Sequence, residues 1–335
     1  MPNISVGFVG RGSFYKEICA HLQDTGYNVH NLMTDRQVPL SIDTIVNYGL
    51  TGSHLRIWGE ARRGHNGILY NTCPDIKNKV MPGNKYQCLD LVRQAGVPCP
   101  ESKPAASTSE VRSGEWIQKP YYSFGGRGIA VLSSDNPRGW NPSSHYVQKR
   151  VTDRRYELRV HVTNWLPKEQ WLVSKRTHPD GDAHLTWNFH QGGTFSNIEQ
   201  NESNTGVFKR AKVFAEKAIN ALGLQFGAVD FIVQNGSGEL PIWFLEVNMA
   251  PGFTTDRTRE FYFMAFKALA AGQSAPVPAT PPRTQATPPP AATREMPAAA
   301  TARSMTAAKR MTIISWLASG NNSFEELIAY INTLR

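Results

Sequence analysis

The sequence reads Phe226-Gly-Ala-Val-Asp-Phe-Ile-Val233 and, after a short gap, Ile242-Trp-Phe-Leu-Glu-Val-Asn-Met-Ala-Pro-Gly252. Both segments contain apolar runs of strand length, which predicts two β-strands. The gap between them contains Asn235-Gly-Ser-Gly238, a composition typical of hairpin turns. We therefore predict that the two strands form an antiparallel hairpin.

Three oxygen-bearing side chains are brought together by this hairpin. Antiparallel pairing places Asp230 close to Glu246 and Asn248, and alternation along the strand puts Glu246 and Asn248 on one face. Carboxylates combined with water and substrate phosphates are the usual ligands of Mg²⁺. The hairpin therefore predicts the magnesium site of a nucleotide-dependent enzyme. The alternative is a hairpin whose polar face is simply solvated.

A second segment, residues 116–131, predicts a strand that ends in Lys119-Pro, a glycine-rich turn and another strand. Glycines let the backbone approach an anion closely, and a lysine at the strand end supplies positive charge for phosphate. The spacing matches neither a Walker loop nor a dinucleotide fingerprint. Taken by itself, this segment leaves both phosphate binding and an ordinary tight turn open.

Six ordered segments resemble the ATP-grasp superfamily, most closely the branch that contains the ribosomal-protein glutamate ligases. They are Lys119-Pro with Gly125-Gly-Arg-Gly128, Tyr146–Val151, Glu157–Val162, Lys175-Arg176, Trp187–Gly193, and Asp230 with Glu246–Gly252. No single segment is specific, but their order is. The resemblance implies an α/β (α+β) ATP-grasp fold over residues 77–271, with two lobes hinged near 146–152. It also implies ATP and Mg²⁺ as cofactors.

The resemblance further implies the nucleotide contacts. Lys85 and Lys119 correspond to the family's two phosphate-binding lysines, and residues 123–128 to its phosphate-covering loop. Gln148 stands where many relatives have Glu, in the segment that reads the adenine edge, and Asp153 is a candidate ribose contact. The residues expected to bind ATP are Lys85, Lys119, Ser123, Gly125, Gly126, Gly128, Gln148, Val151 and Asn188, and those expected to bind the metal are Asp230, Glu246 and Asn248.

Two arginines on predicted strands, Arg159 and Arg176, are the expected catalytic residues. They correspond to family arginines that face the γ-phosphate and the acyl phosphate that replaces it. Such cations are needed because a carboxylate and the phosphoryl group it attacks are both anionic. The alternative for each is a surface strand residue paired with a carboxylate. Asn47, His190 and Gly192 are expected on the substrate side, with His190 in a supporting role rather than as a general base.

Residues 1–76 form a predicted N-terminal domain. Strands at about 4–9 and 27–32 flank a helix that ends near Thr25, and a further strand covers about 43–49. This pattern predicts a small βαβ unit. ATP-grasp enzymes commonly open with such a domain, which helps to bind the substrate and places Asn47 near the substrate cleft. The glycines before the helix lack the full dinucleotide pattern, which disfavours a cofactor there.

The sequence changes character after Gly272. Residues 272–308 are dominated by Pro, Ala and Thr, which predicts an extended, mobile linker because too little apolar surface is available to offset the ordering entropy. Residues 309–335 regain helical periodicity, with a capping-box pattern at Ser323 and Glu326, and predict a short helical hairpin. So small a piece lacks a core of its own, so we expect it to dock on the main body, a second copy or a partner.

Composition and terminal sequence features bear on the cellular compartment and the partners of the protein. No apolar run approaches the ~20 residues needed to span a bilayer, the N-terminus lacks signal-peptide features, and the four cysteines show neither metal-ligand spacing nor a disulfide framework. These features favour a cytoplasmic protein without a membrane partner. The net charge of +9 is compatible with nucleic acid or an acidic peptide but requires neither, since an ATP site explains part of it and a solvated basic face the rest.

Together these features predict an ATP-dependent carboxylate–amine ligase. The expected reaction forms an amide through an acyl phosphate and releases ADP and phosphate, with an amino acid, a peptide or a protein terminus as substrate. Two alternatives stay open. An ATP-grasp phosphotransferase or non-amide ligase would release ADP but give a different product. A non-catalytic nucleotide-binding or interaction protein would not turn over.

Overall fold

The computed structural model describes the chain in ten stretches: residues 4–10, 12–33, 42–49, 68–71, 84–104, 113–123, 126–133, 143–188, 191–253 and 255–273. The predictions at Gly125 and His190 lie outside these stretches. So do those for the linker beyond residue 273 and for the terminal helices.

The N-terminal domain contains a parallel sheet. Its elements are β1 (Val6–Gly10), α1 (Phe14–Asp24), β2 (Val29–Asn31), β3 (Thr44–Tyr48) and β4 (Ile68–Tyr70). The strand order is β2-β1-β3-β4. Both β1 and β3 are buried at every position, as is typical of parallel strands covered on both faces. The predicted βαβ unit is confirmed; the three-residue β4 is not indicated by the sequence pattern.

A helix and a small antiparallel sheet follow. They are α2 (Lys85–Gln94), β5 (Ser102–Lys103), β6 (Ser113–Pro120), β7 (Ala130–Ser133) and β8 (His145–Lys149). The strand order is β5-β8-β6-β7, so β6 and β7 flank the glycine-rich turn as predicted. The side chain of Asn84 accepts a hydrogen bond from Gln87 N and thereby caps the start of α2.

A larger antiparallel sheet forms the centre of the fold. Its strands are β9 (Arg154–Thr163), β10 (Leu172–Thr177), β11 (Thr194–Asn197), β12 (Phe226–Gln234) and β13 (Ile242–Asn248). Their order is β11-β10-β9-β12-β13. β12 and β13 form the predicted hairpin, in which Asp230 pairs with Glu246 and Ala228 with Asn248. A bulge between Asp230 and Phe231 shifts the register by one residue and brings Asp230 opposite Glu246.

Helices cover this central sheet and return to the N-terminal domain. They are α3 (Gln200–Ser203), α4 (Gly206–Ala221) and α5 (Asp256–Ala270). α2 and α4 pack with one apolar face of the sheet, represented by Val160 and Val229. α5 packs on the N-terminal domain, where Phe266 lies 5.2 Å from the Phe8 ring centre. None of the described helices is long and apolar enough to cross a membrane.

A buried asparagine joins the N-terminal domain to the central sheet. Asn71 Nδ2 donates to Phe226 O at 3.0 Å, and its Oδ1 accepts from the backbone N–H groups of Gln225 at 2.8 Å and Phe226 at 3.2 Å. Asn71 has a φ of 52°, in the left-handed region that asparagine tolerates better than most residues. The first residue of β12 is therefore fixed to the end of β4.

Candidate active site

A cavity lies between the small sheet and the central sheet. It encloses about 840 Å³, including space open to solvent. Its apolar wall consists of Ile117, Ile129, Val151, Leu185, Trp187, Ile232 and Leu245. Its charged side chains are Lys85, Lys119, Lys149, Arg150, Arg154, Arg176, Glu157, Asp230 and Glu246. Six cationic side chains thus face three carboxylates, which suits a polyanionic ligand with an apolar part.

Most of the predicted nucleotide and metal residues converge on this cavity. Those that line it are Lys85, Lys119, Ser123, Gly126, Gln148, Val151, Arg176, Asn188, Asp230 and Glu246. The predicted residues Arg159, Gly128, Asn248, Asn47 and Gly192 do not line it. Arg154, Glu157 and most of the apolar wall line the cavity but were not among the predicted site residues. Alternation along β9 and β12 would have indicated Glu157 and Ile232, which lie two residues from Arg159 and Asp230.

A buried chain of ion pairs forms the floor of the site. Both oxygens of Asp230 accept hydrogen bonds from Arg159, from Nε and Nη2, each at 2.7 Å. Arg176 lies 3.4 Å from Asp230 and 2.8 Å from Glu157, and Glu157 in turn lies 3.4 Å from Arg154. Sheet register explains the pairing, because Arg159 faces Asp230 across β9 and β12, while Arg176 faces Glu157 across β10 and β9.

Asp230 and Glu157, the two carboxylates in this chain of ion pairs, differ in how easily they ionise. Burial opposes ionisation of Asp230, but the charge and hydrogen bonds of Arg159, together with Arg176, outweigh it and hold the pKa of that carboxyl below its usual value. At Glu157 burial outweighs the neighbouring arginines and raises the pKa. Asp230 is therefore the more firmly ionised carboxylate.

Both predicted catalytic arginines are ion-paired, although neither is a surface residue. Arg159 is held by Asp230 and does not line the cavity, so its role at a phosphate stays a prediction. Arg176 does line the cavity, and its buried Nε has no hydrogen-bond partner among the described residues. Nε of Arg176 is therefore an unpaired donor within the described stretches, whereas Arg159 is hydrogen-bonded to both carboxylate oxygens of Asp230.

The lysine side of the cavity is held by two polar partners. Lys85 Nζ donates to Glu246 Oε2 at 2.7 Å, and Lys119 Nζ donates to Gln148 Oε1 at 2.7 Å. Gln148 Nε2 in turn donates to Ser102 Oγ at 3.2 Å, so both ends of this amide are occupied. Burial, and then repulsion by Lys85, lower the pKa of Lys119 to about 8. Its neutral partner Gln148 supplies no charge to oppose that shift.

The glycine-rich turn lies against a segment of the central sheet's lobe. A Cβ at Gly126 would lie 2.6 Å from Asn188 Nδ2 and 3.1 Å from Thr186 Cγ2, and the residue has a φ of +73°. Both the contact and the left-handed backbone require glycine here. Ser123 Oγ is buried and has no hydrogen-bond partner among the described residues.

The predicted metal ligands fit a cation in part. Glu246 lines the cavity and gives only one of its two oxygens to Lys85. Asp230 gives both oxygens to Arg159, and Asn248 Oδ1 accepts from Ala250 N at 3.0 Å. Within the described stretches no group of three or more His, Cys, Asp or Glu side chains is arranged to hold a metal ion. The donor set of two carboxylates and one amide suits Mg²⁺ that is also held by phosphates and water.

The predicted substrate-side residues are used structurally. Asn47 is 2% exposed and its Nδ2 donates to Asn71 O at 3.2 Å. Gly192 has a φ of +94°, and a Cβ there would lie 3.2 Å from His178 Nε2. Asp153, the candidate ribose contact, accepts a hydrogen bond from Asn235 and lies outside the cavity lining. The structure thus brings none of these three to the cavity.

Comparison with known proteins finds similarity in structure but not in sequence. No family model matches the sequence, and no curated protein is significantly similar to it. Among solved structures, the ATP-grasp ligase PsnB in complex with its minimal precursor is 17% identical, with a TM-score of 0.55, over 81% of this chain and 100% of that one. The D-Ala:D-Ser ligase VanG from Enterococcus faecalis is 16% identical, with a TM-score of 0.54, over 80% and 99%.

A third similar structure is the macrocyclase MdnC from Microcystis aeruginosa MRC, bound with its precursor peptide MdnA. It is 15% identical, with a TM-score of 0.52, over 81% of this chain and 99% of that one. The chain therefore has the ATP-grasp fold, and the prediction of that fold from the ordered segments is confirmed.

Proposed function

We propose that this chain is an ATP-dependent carboxylate–amine ligase that forms an amide bond and releases ADP and phosphate. The observation that carries the proposal is the cavity, in which six lysines and arginines face three carboxylates beside an apolar wall. A nucleoside triphosphate has the matching chemistry, with an apolar base and a polyanionic tail. The ATP-grasp fold supports the same assignment.

The residues divide into a phosphate end and a base end. Lys85, Lys119, Ser123 and Gly126, which line the cavity, bind the triphosphate. The apolar wall packs against the base. Because both ends of Gln148 are occupied by Lys119 and Ser102, we assign the base-edge contacts to the backbone at 149–151.

The chemistry needs positive charge where two anions meet. A substrate carboxylate oxygen attacks the γ-phosphorus, the bond from that phosphorus to the β-phosphate oxygen breaks, and ADP leaves. Arg176, which lines the cavity, neutralises charge on the transferred group. An amine then attacks the acyl carbon, phosphate leaves with the bonding electrons, and the amine loses a proton. Mg²⁺, when bound by Glu246 with Asp230 and Asn248, supplies additional neutralisation of the phosphates.

The similar structures support a proposal for the substrate class. PsnB and MdnC are described in complex with precursor peptides, and VanG is named as a ligase of two amino acids. We therefore propose that one substrate of this chain is an amino acid or a peptide, including the terminus or a side chain of a protein.

The direct test measures ADP release from ATP and Mg²⁺ by the purified chain against pools of amino acids and peptides. We expect pool-dependent ADP and a product lighter by one water than its summed reactants. The Asp230→Asn variant, prepared identically, controls for contaminating ATPases. A phosphorylated product of full summed mass would instead indicate a phosphotransferase. Absence of nucleotide binding would contradict the proposal.

Nucleotide affinity should depend on pH through Lys119. The free protein loses the Lys119 proton near pH 8, whereas bound phosphate favours the protonated amine, so binding above pH 8 must take up a proton. We expect the Kd for ADP to rise by up to about tenfold per pH unit above 8. Calorimetry in buffers of different ionisation enthalpy measures the proton uptake.

Two variants identify the group responsible. Lys119→Arg keeps its charge across this range and should give a flat profile. Lys212 also has a pKa lowered to about 8, by burial, but it lies outside the cavity, so Lys212→Arg should leave the profile unchanged. A profile that stays steep in Lys119→Arg would show that another group titrates.

A further inference from the structure

Arg154 joins the central sheet to the segment that follows β10. Its side chain is 4% exposed. It donates from Nε to Asp182 Oδ1 at 2.6 Å, from Nη1 to Leu185 O at 3.2 Å, and from Nη2 to His184 O. Its backbone N donates to Asp182 Oδ2 at 2.9 Å, and its guanidinium carbon lies 4.4 Å from the centre of the Trp187 ring. One buried cation thus contacts four residues of a single short segment.

These contacts provide most of the attachment of residues 181–188. Among the described residues, every hydrogen bond from this segment to the chain outside 178–193 involves Arg154 or Arg150. Arg150 contributes one, from Nη2 to Asp182 O at 2.7 Å. The remaining hydrogen bonds stay local, such as that from Trp187 Nε1 to Gly181 O at 3.0 Å. Without the Arg154 side chain the segment would retain two hydrogen-bonded tethers, both at Asp182: one from Arg150 Nη2 and one from the backbone N of residue 154.

The same segment forms one wall of the cavity. Leu185, Thr186, Trp187 and Asn188 all line it, and Gly126 of the glycine-rich turn lies directly against Thr186 and Asn188. The place of the segment therefore sets both the shape of the apolar wall and the surface on which the turn rests.

We propose that Arg154 is a positioning residue of the nucleotide site, which holds residues 181–188 in place as the cavity wall that meets Gly126. The inference rests on the proposed function, because it takes the ligand to be a nucleotide. Four of the five N–H donors of Arg154 are used by protein groups, including Glu157 at 3.4 Å. Arg154 therefore acts through the segment rather than by contact with the reacting groups.

Arg154→Lys tests the inference, because lysine keeps the charge but lacks the planar fork that binds several acceptors at once. We expect the Kd of a fluorescent ATP analogue to rise at least about tenfold, the effect of losing one charge-assisted hydrogen bond. Acrylamide quenching of Trp187 fluorescence is obtained by subtracting the signal of matched Trp187→Phe proteins. Without nucleotide, this quenching should be greater in Arg154→Lys than in the wild type. Arg155→Lys, at the exposed neighbouring residue, should change neither quantity.

Asp182→Asn is a second variant that leaves Arg154 in place and removes only the partner charge, on a side chain that is 29% exposed. Asp182→Asn should also weaken nucleotide binding and increase the quenching. The variant that combines Arg154→Lys with Asp182→Asn should differ little from either single variant. If affinity and quenching are unchanged in both single variants while the wild type binds nucleotide, the proposed role of Arg154 is overturned but the proposed function is not. Failure of the wild type to bind any nucleotide would overturn the proposed function and this inference with it.

Discussion

Replacing Asp230 by asparagine is expected to lower ligase turnover by about 10²–10³-fold, the usual effect of removing a preorganised charged group from an active site. The same change should lower the free energy of unfolding by about 3–5 kcal/mol, because breaking a buried ion pair leaves an uncompensated charge. Arg159 would be left with an amide in place of the carboxylate that accepts its two hydrogen bonds at 2.7 Å. ADP release and urea unfolding measure the two effects.

An exposed arginine–aspartate pair provides the matched control. Asp90 lies 3.1 Å from Arg93 on α2, and its side chain is 43% exposed. Asp90→Asn should lower the free energy of unfolding by less than about 1 kcal/mol, because solvent screens the pair. If Asp230→Asn were as mild as this control, the buried chain of ion pairs would not be a main support of the site.

A double variant separates stability from catalysis. Arg159→Met combined with Asp230→Asn removes the unpaired charge, and apolar replacement of a buried ion pair is often close to neutral for stability. We expect the double variant to regain most of the lost free energy of unfolding. Turnover should stay low, because the carboxylate that orders Arg176 and contributes to the proposed metal site is still absent. Recovery of turnover together with stability would show that Asp230 acts only as a structural residue.

Local sequence patterns account for what could be predicted. The turn at 235–238 indicates that two neighbouring strands pair antiparallel, as observed. The pairing of Asp230 with Glu246 needs one more step, because a bulge between Asp230 and Phe231 shifts the register by one residue. The partners of the arginines could not be predicted in this way. Arg159 meets Asp230, 71 residues further along the chain, only because β9 lies between β10 and β12. Such strand order depends on tertiary packing that spacing within one segment does not encode.

A second set of site residues could not be predicted because the strand geometry there is irregular. Arg154 and Glu157 are three residues apart, so strict strand alternation would put them on opposite faces of β9. The register between β9 and β12 shifts between Val233 and Gln234, where Arg154 pairs with Gln234, and the two side chains meet at 3.4 Å. No composition signal marks this shift. Gln148 differs: the departure from Glu is visible in the sequence, but its partner Lys119 becomes evident only with the structure.

Asn71→Ala is expected to lower the free energy of unfolding by about 3–5 kcal/mol, from three lost side-chain hydrogen bonds and the buried backbone groups left unpaired. Those groups are Phe226 O and the N–H groups of Gln225 and Phe226. Alanine also tolerates the φ of 52° less well than asparagine. Urea unfolding measures the loss, and Asn235→Ala, whose side chain bonds to exposed Asp153, should change the free energy of unfolding by less than about 1 kcal/mol.

Asn71→Gly divides this loss into its two causes. Glycine adopts a positive φ without strain, so the difference between the alanine and glycine variants reports the backbone term, which should be about 1 kcal/mol. The hydrogen-bond loss is common to both variants and should dominate. Because Phe226 begins the strand that carries Asp230, both variants should also weaken nucleotide-dependent turnover under conditions where they remain folded. If glycine restored wild-type stability, the side-chain hydrogen bonds would contribute little and backbone strain would be the main effect of the alanine substitution.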